Sequence, residues 1–440
     1  MKENKKAARS LLCFTVFTLV FCAFFSLCSS ALAEMPSLDG ATSVYLYNLT
    51  QDKVMAEKNA DKVIYPASTV KLMTGLVAAQ LLSDRLDDQI EVTEEMLVGV
   101  TGNNLKISAG EIVTVRDMFY GLLCGGNNDC AAILAHLAAG GIDQFVDLMN
   151  KKAAELGTKT TNYTNVSGMH SDNMVTTAYD TYLVAAAAYE VPLIMEAVTT
   201  NKYEMPATNK SKLRNVYNKN YLISRYIDTT YYNSLAQGMN AGYTKQGGYC
   251  LVTSAEYNGQ SYICVVMGGE EQNKRIRSYE IAGDLIDWAF SAYKETKVLD
   301  VNSYLGEMTV TLAQDTDHVT IKPAGSLTAF LPSDIDVSKD IELLPKLNAP
   351  ELEAPVAEGQ VVGFISVKYG DEILGTVDLI TTDKVERSEF LYALQRIKSF
   401  TTQRWFIASA IALIALTAAY VFIVASVRGR HGRRRRRRRR

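Results

Sequence analysis

The chain has 440 residues, 48% of them hydrophobic, with 45 lysines and arginines against 48 acids. That length and apolar share allow two or three packed domains and exclude intrinsic disorder, collagen and a small disulfide scaffold. The net charge of −3 conceals an asymmetry. Ten arginines fall within 428–440 and four basic residues within 1–33, so the span between them carries 31 basic and 47 acidic residues. Such a body has no basic stripe to neutralise phosphates, and nucleic acid is not an expected partner.

In chain order, residues 1–33 read as a secretory signal peptide. Lys2, Lys5 and Lys6 precede an apolar stretch from Leu11 to Leu27, and Ala31-Leu32-Ala33 supplies the small-residue cleavage site. Cys13, Cys22 and Cys28 belong to this segment. Residues 34–297 are expected to form a mixed α/β domain, an antiparallel sheet covered by helices. Thr42–Tyr47 has strand character, the turn Asn48–Asp52 leads to a second strand, and a helix runs from Pro66 to about Leu82. Further helices are expected at Asn128–Ala138, Ile142–Leu156 and Ile276–Tyr293. Asn258-Gly259 marks a two-residue hairpin that pairs residues whose numbers sum to 517. This register sends Cys250 and Cys264 to opposite faces, so no bridge is expected between them. Cys124 and Cys130 read as free buried thiols.

From Val301 the texture changes. Thr309–Leu312, His318–Ile321, Val361–Val367 and Leu374–Leu379 are short alternating runs, the pattern of a small all-β domain over 301–388. A polar helical segment over 389–404 then leads to 405–427, 23 residues without a charge and long enough to cross a bilayer core. The Arg-rich tail, 428–440, follows directly and fixes the expected topology: tail in the cytoplasm, body outside.

The informative chemistry lies at Ser68 and Lys71. Pro66 marks a helix start, which places Ser68 in the first turn and Lys71 one turn deeper on the same face. The continuation Leu72, Met73, Leu76, Val77, Ala78, Ala79, Leu81, Leu82 is apolar on nearly every side, so the helix is buried. A buried lysine loses hydration of its charged form and becomes a base for a neighbouring hydroxyl. Ser291 and Lys294 share the spacing without that setting, so the setting carries the reading. None of His136, His170 and His318 lies in a nucleophile-elbow context. No zinc, calcium or phosphate-loop motif occurs, and no metal or cofactor is expected.

Ser68-x-x-Lys71 resembles the first motif of the penicillin-binding proteins and serine β-lactamases. The surrounding phrases resemble those of the low-molecular-mass class, the D-alanyl-D-alanine carboxypeptidases. These phrases are Asn103-Asn104-Leu105-Lys106, Leu122 to Ala131, Phe145 to Asn150 and Thr176 to Asp180, in family order, followed by Pro355 to Gly363 in the β-domain. The resemblance covers residues 36–388. It implies a serine penicillin-binding/β-lactamase-like α+β domain, a small all-β C-terminal domain and one transmembrane helix. It also implies acyl transfer on peptidoglycan stem peptides by Ser68, with Lys71 as base and Asn128 as a further catalytic residue. Asn240, Gly242, Tyr243 and Thr244 would line the substrate strand, and β-lactams would be covalent inhibitors.

Two motifs depart from the family pattern. Gly126 stands where the family has the Ser of S-x-N, and Asn240-Ala241-Gly242 stands where it has Lys-Thr-Gly. A working carboxypeptidase of reduced or altered activity is therefore the first expectation, and an impaired homologue that binds wall peptide or a partner protein is the alternative. Asn165, Ser167, Gly168 and His170 read as a turn. Thr177 with Asp180 reads as a capping box.

Overall fold

The computed structural model describes residues 34–437; the leader expected over 1–33 and the last three arginines lie outside the described residues. The described chain divides into two compact units, one reaching residue 294 and including 332–334, the other formed by 295–331 and 335 onward.

The first unit is built on a five-stranded antiparallel sheet. Its strands are β1 (Ser43–Asn48), β2 (Lys53–Lys58), β3 (Ala236–Thr244), β4 (Gly248–Tyr257) and β5 (Gln260–Gly269), in the order β2-β1-β5-β4-β3. The helices are α1 (Val70–Leu82), α2 (Val115–Leu123), α3 (Asn128–Ala139), α4 (Ile142–Glu155), α5 (Ala178–Tyr189), α6 (Pro192–Thr199) and α7 (Arg277–Ala292). The period-two alternation of β1 explains the layering. Val44 and Leu46 join a core with Ile281, Leu285 and Ile286 of α7, while Tyr45 joins the opposite core with α1 to α6. The sheet is thus covered on both faces. Within the second core α1 is buried along its length apart from Gln80 and Leu81, as its all-round apolar sequence requires.

The β4–β5 hairpin turns at Asn258 and Gly259, both at positive φ, and Thr253↔Cys264 and Tyr257↔Gln260 keep the expected register. Cys250 lies in the core facing α1 and Cys264 in the core facing α7. Both are free, as are Cys124 and Cys130, and all four are buried. Strand β3 is the edge of the sheet, which leaves one side of its backbone without a strand partner.

The second unit holds a six-stranded sheet of β6 (Gly306–Thr311), β7 (His318–Pro323), β8 (Ile341–Leu347), β9 (Leu352–Glu353), β10 (Val361–Tyr369) and β11 (Glu372–Thr381), in the order β8-β10-β11-β7-β6-β9. Val310, Val319, Ile321, Ile365, Val367 and Leu379 form its core. Helix α8 (Glu389–Thr401) follows, capped by the Ser388 side chain accepting from Leu391 N–H. It is not the polar helix expected from the sequence. Phe390, Leu391, Leu394, Ile397 and Phe400 are exposed at helical spacing and make an apolar stripe. Helix α9 (Arg404–Arg437) contains Arg404–Ser426, long and apolar enough to cross a membrane.

Candidate active site

Ser68 does not sit in the first α-helical turn. Ala67 takes a left-handed conformation, φ 49°, and Ala67–Thr69 forms a 3-10 turn that feeds α1. The Pro66 carbonyl accepts from Thr69 N–H at 3.3 Å and from Thr69 Oγ1 at 2.7 Å, which ties the turn to the chain before it. A non-glycine residue in this region is uncommon and is held only where its surroundings determine it. Here the result is a half-buried Ser68 hydroxyl above a fully buried Lys71.

Lys71 Nζ lies 3.0 Å from Ser68 Oγ and donates to the Ser167 carbonyl at 2.5 Å. Burial pulls its pKa down to about 7, with neighbouring Cys130 acting weakly the other way. Burial likewise pushes the Cys130 thiol well up, so it stays neutral. A lysine that gives up its proton near neutral pH, within hydrogen-bond reach of a hydroxyl, can take that hydroxyl's proton.

Two close backbone approaches fix this corner. A β-carbon on Gly242 of β3 would lie 2.4 Å from Ser68 N and 2.6 Å from Ser68 Cβ. A β-carbon on Gly168 would lie 2.0 Å from the Ala67 carbonyl oxygen, and Gly168 has φ +80°. The Gly168 segment is therefore part of the site. The Asn165 side-chain oxygen accepts from Ser167 N–H at 3.2 Å and Gly168 N–H at 2.9 Å, and so shapes the loop that offers its carbonyl to Lys71. Read from sequence, these residues were only a turn; a backbone carbonyl has no side-chain signature to betray it.

The other expected site residues lie around this corner. Asn128 is the first residue of α3; its Nδ2 donates to the Thr101 carbonyl at 2.7 Å, and its N–H to the Asn103 carbonyl at 2.7 Å. A cavity of about 170 Å³ has Asn128, Thr101, Asn165, Ser167 and Met169 in its walls, so Asn128 and the Lys71-binding loop share one space. Asn240 and Gly242 face the same side of the sheet, opposite Val252 and Cys250 of the α1-side core. Thr244 Oγ1 accepts from Gly247 N–H at 2.9 Å and closes the turn after β3. Tyr243 is exposed, its ring 4.5 Å from Tyr249. Asn240 is buried, and its Nδ2 has no hydrogen-bond partner.

Two buried aspartates hold the surroundings. Asp129 accepts from the amides of Leu105 at 2.8 Å, Ile107 at 3.3 Å and Cys130 at 3.0 Å, which fastens the 103–107 loop to α3; burial raises its pKa. Thr177 caps α5 by accepting from Asp180 N–H at 2.9 Å. The Asp180 carboxylate does not complete a capping box. It accepts instead from the amides of Lys159, Thr160 and Thr161, three charge-assisted bonds that take up both of its oxygens.

A serine and lysine at the head of a buried helix, an edge strand against the serine and helices on both faces of the sheet define a serine acyl-transfer fold of the penicillin-recognising class. Comparison with known proteins agrees. The pattern described as D-alanyl-D-alanine carboxypeptidase (peptidase S11) matches residues 31–271, and that of the penicillin-binding protein 5 C-terminal domain matches residues 293–387. The chain belongs to the D-alanyl-D-alanine carboxypeptidase family. It is 28% identical over 367 residues to D-alanyl-D-alanine carboxypeptidase DacF of Bacillus subtilis, covering 81% of this chain and 88% of that one. It is also 28% identical over 419 residues to DacC of Escherichia coli, covering 92% and 99%. Penicillin-binding protein 5 from Haemophilus influenzae shares the fold with a TM-score of 0.56 at 24% identity, over 80% of this chain and 99% of that one. Penicillin-binding protein 6B from Escherichia coli does so with a TM-score of 0.57 at 23% identity, over 79% and 96%.

Proposed function

We propose that this chain is a serine-type D-alanyl-D-alanine carboxypeptidase that trims peptidoglycan stem peptides through an acyl-enzyme on Ser68. The observation that carries the reading is the 3.0 Å approach of a wholly buried Lys71 Nζ to Ser68 Oγ. Ser68 Oγ attacks the carbonyl of the penultimate D-Ala while its proton passes to Lys71 Nζ. The N–H groups of Ser68 and Tyr243 receive the oxyanion, a role open to Tyr243 because β3 is an edge strand. Collapse of the tetrahedral intermediate breaks the peptide bond, and the departing D-Ala amine takes up a proton. Water then hydrolyses the ester and regenerates Ser68. Asn128 borders the cleft near Lys71, and Asn240, Gly242 and Thr244 line the strand beside which the peptide lies. A β-lactam would open on the same serine and remain attached.

The second and third motifs weigh on rate. Asn240 gives the substrate's terminal carboxylate no charged partner, an interaction worth about 1.5–3 kcal/mol where present. The apolar C-terminal helix associates the chain with a membrane. In the proposed arrangement Arg404–Ser426 crosses once, the arginines that follow stay in the cytoplasm, and the active unit works on the outer side. The decisive experiment uses the full chain in detergent micelles. Covalent labelling by a fluorescent penicillin and release of D-Ala from a D-Ala-D-Ala pentapeptide are expected, and both vanish in Ser68→Ala. Pure protein that neither labels nor releases D-Ala would overturn the reading and leave a peptide-binding homologue.

A further inference from the structure

A second cavity, which the acylation chemistry does not use, opens at the end of β3. It holds about 560 Å³, and Thr42, Tyr65, Tyr243, Lys245, Glu270 and Glu271 stand in its walls. Tyr65 lies three residues before Ser68, and in the proposed mechanism Tyr243 carries an N–H for the oxyanion, so the cavity adjoins the corner of the nucleophile. Close backbone approaches fix its floor. A β-carbon on Gly247 would lie 2.8 Å from the Tyr65 carbonyl oxygen, and one on Gly268 would lie 2.5 Å from Thr42 Oγ1. The rings of Tyr243 and Tyr249, 4.5 Å apart, supply an aromatic wall.

Exposed glutamates are ordinarily solvated surface groups. Glu270 and Glu271 differ in how they are held. The Glu270 N–H donates to the Gly40 carbonyl at 2.8 Å and its carbonyl accepts from Arg277 N–H at 2.9 Å, while Glu271 pairs with Ile276 across a short hairpin. Each carboxylate is oriented through one oxygen by a neutral donor, Glu271 Oε2 by Tyr249 Oη and Glu270 Oε2 by Gln272 Nε2, both at 3.0 Å. Neither carboxylate is ion-paired among the described residues, and neither is Lys245 in the same wall. The cavity thus offers charge of both signs to a ligand.

The run of the substrate brings one of its residues here. Its terminal carboxylate faces position 240 and its attacked carbonyl meets Tyr243 N–H, so the chain upstream of the scissile bond continues toward Lys245 at about 3.4 Å per residue. We infer that this cavity is a specificity subsite for the side chain of the residue preceding the penultimate D-Ala. It takes a long aliphatic side chain that ends in an amino-acid head, an ammonium beside a carboxylate. The stem lies along the tyrosine rings with its head at the charged rim, the way amphipathic side chains are ordinarily carried. Glu270 and Glu271 receive the ammonium and Lys245 the carboxylate. The inference rests on the carboxypeptidase reading above and names the kind of stem peptide that reading leaves open.

The test separates binding from turnover. The Ser68→Ala full chain, which cannot acylate, is held in detergent micelles, and equilibrium binding of three N-acetylated peptides ending in D-Ala-D-Ala is compared. The preceding residue is norleucine in the first, lysine in the second, and diaminopimelate with one amino-acid end free in the third. The third should bind roughly tenfold more tightly than the first, with lysine between them. Glu270→Gln with Glu271→Gln should remove the advantage of lysine over norleucine, and Lys245→Met should bring the diaminopimelate peptide down to the level of the lysine peptide. Equal binding of all three, equal binding of the second and third, or an order that those substitutions leave untouched overturns the inference. Lack of penicillin labelling in the chain with Ser68 intact would count against the carboxypeptidase reading alone, because the order of the three peptides still reads the subsite.

Discussion

The corner that holds Ser68 and Lys71 and the two positions where the sequence departs from the family pattern, Gly126 and Asn240, are built differently. In the first, the polar side chains are satisfied. Lys71 bonds Ser68 and Ser167, Thr69 bonds the Pro66 carbonyl, and Thr74 bonds the Val166 carbonyl at 2.7 Å. In the second, Asn127 Oδ1 and Asn240 Nδ2 are buried without partners, each deficit costing about 1–3 kcal/mol. In the proposed mechanism the acylating half is thus complete in the free protein. The half that would recognise substrate keeps unmet hydrogen-bonding capacity and has exchanged charged or hydroxyl groups for an amide and a glycine.

The largest effect should come from disturbing the complete corner through the backbone. In Gly242→Ala the new methyl would stand 2.4 Å from Ser68 N, so the serine must move. A shift of about 1 Å misaligns an attacking atom enough to lower the rate of penicillin labelling at least hundredfold. Unchanged labelling would show that the contact between β3 and the Ser68 turn is slack. Lys71→Met comes next. Labelling should fall by roughly 10²–10⁴ as the base is lost. Its pH dependence has a definite sign. Because burial lowers Lys71 from its ordinary value to about 7, labelling by the unaltered chain should rise as pH passes upward through about 7. Between that value and about 10.5 the unfolded chain binds the proton that the folded one has released, so stability also rises with pH in this window. The methionine variant should lack that rise and be more stable near pH 6, as urea unfolding at pH 6 and pH 10 would reveal.

What the sequence disclosed follows from where the physics is local. The Ser68–Lys71 spacing, the apolar wrap of α1 and the 517 register at Asn258-Gly259 depend on neighbours in the chain, and the structure reproduces them. The carbonyl of Ser167 was invisible because any residue has one; only the fold brings it 96 positions along the chain to Lys71. Strand β8 went unread because Pro345 interrupts its run. The structure makes it an edge strand, and the inward bond from Asn348 N–H to Val362 leaves position 345, three residues earlier, with its nitrogen toward the free edge, where proline removes nothing. The apolar stripe of α8 exists only in the helical spacing of Phe390, Leu394, Ile397 and Phe400, which other residues separate along the sequence.

The incomplete corner invites repair. Asn240→Lys removes an orphaned amide and restores a cation, so D-Ala release should rise by about tenfold. The control is Asn240→Ala, which removes the same amide without adding charge and should change unfolding free energy by no more than about 1 kcal/mol. Equal activity in the two variants would mean that charge at position 240 is not what limits the reaction.

The smallest effect is expected at Gly126. It has φ +64°, a conformation that adds about 1 kcal/mol of strain for a residue with a β-carbon. The nearest atoms to such a carbon, Lys219 Cγ at 3.7 Å and Asn103 Nδ2 at 3.8 Å, leave room for it. Gly126→Ala and Gly126→Ser should therefore both melt about 2–4 °C lower, by strain alone. Because the two share that strain, any difference in D-Ala release isolates the hydroxyl. A serine variant only a few-fold faster than the alanine variant places the larger deficit at Asn240. A gain matching that of Asn240→Lys would instead locate the deficit in proton delivery to the departing amine, and the two corners would then differ in chemistry rather than in recognition.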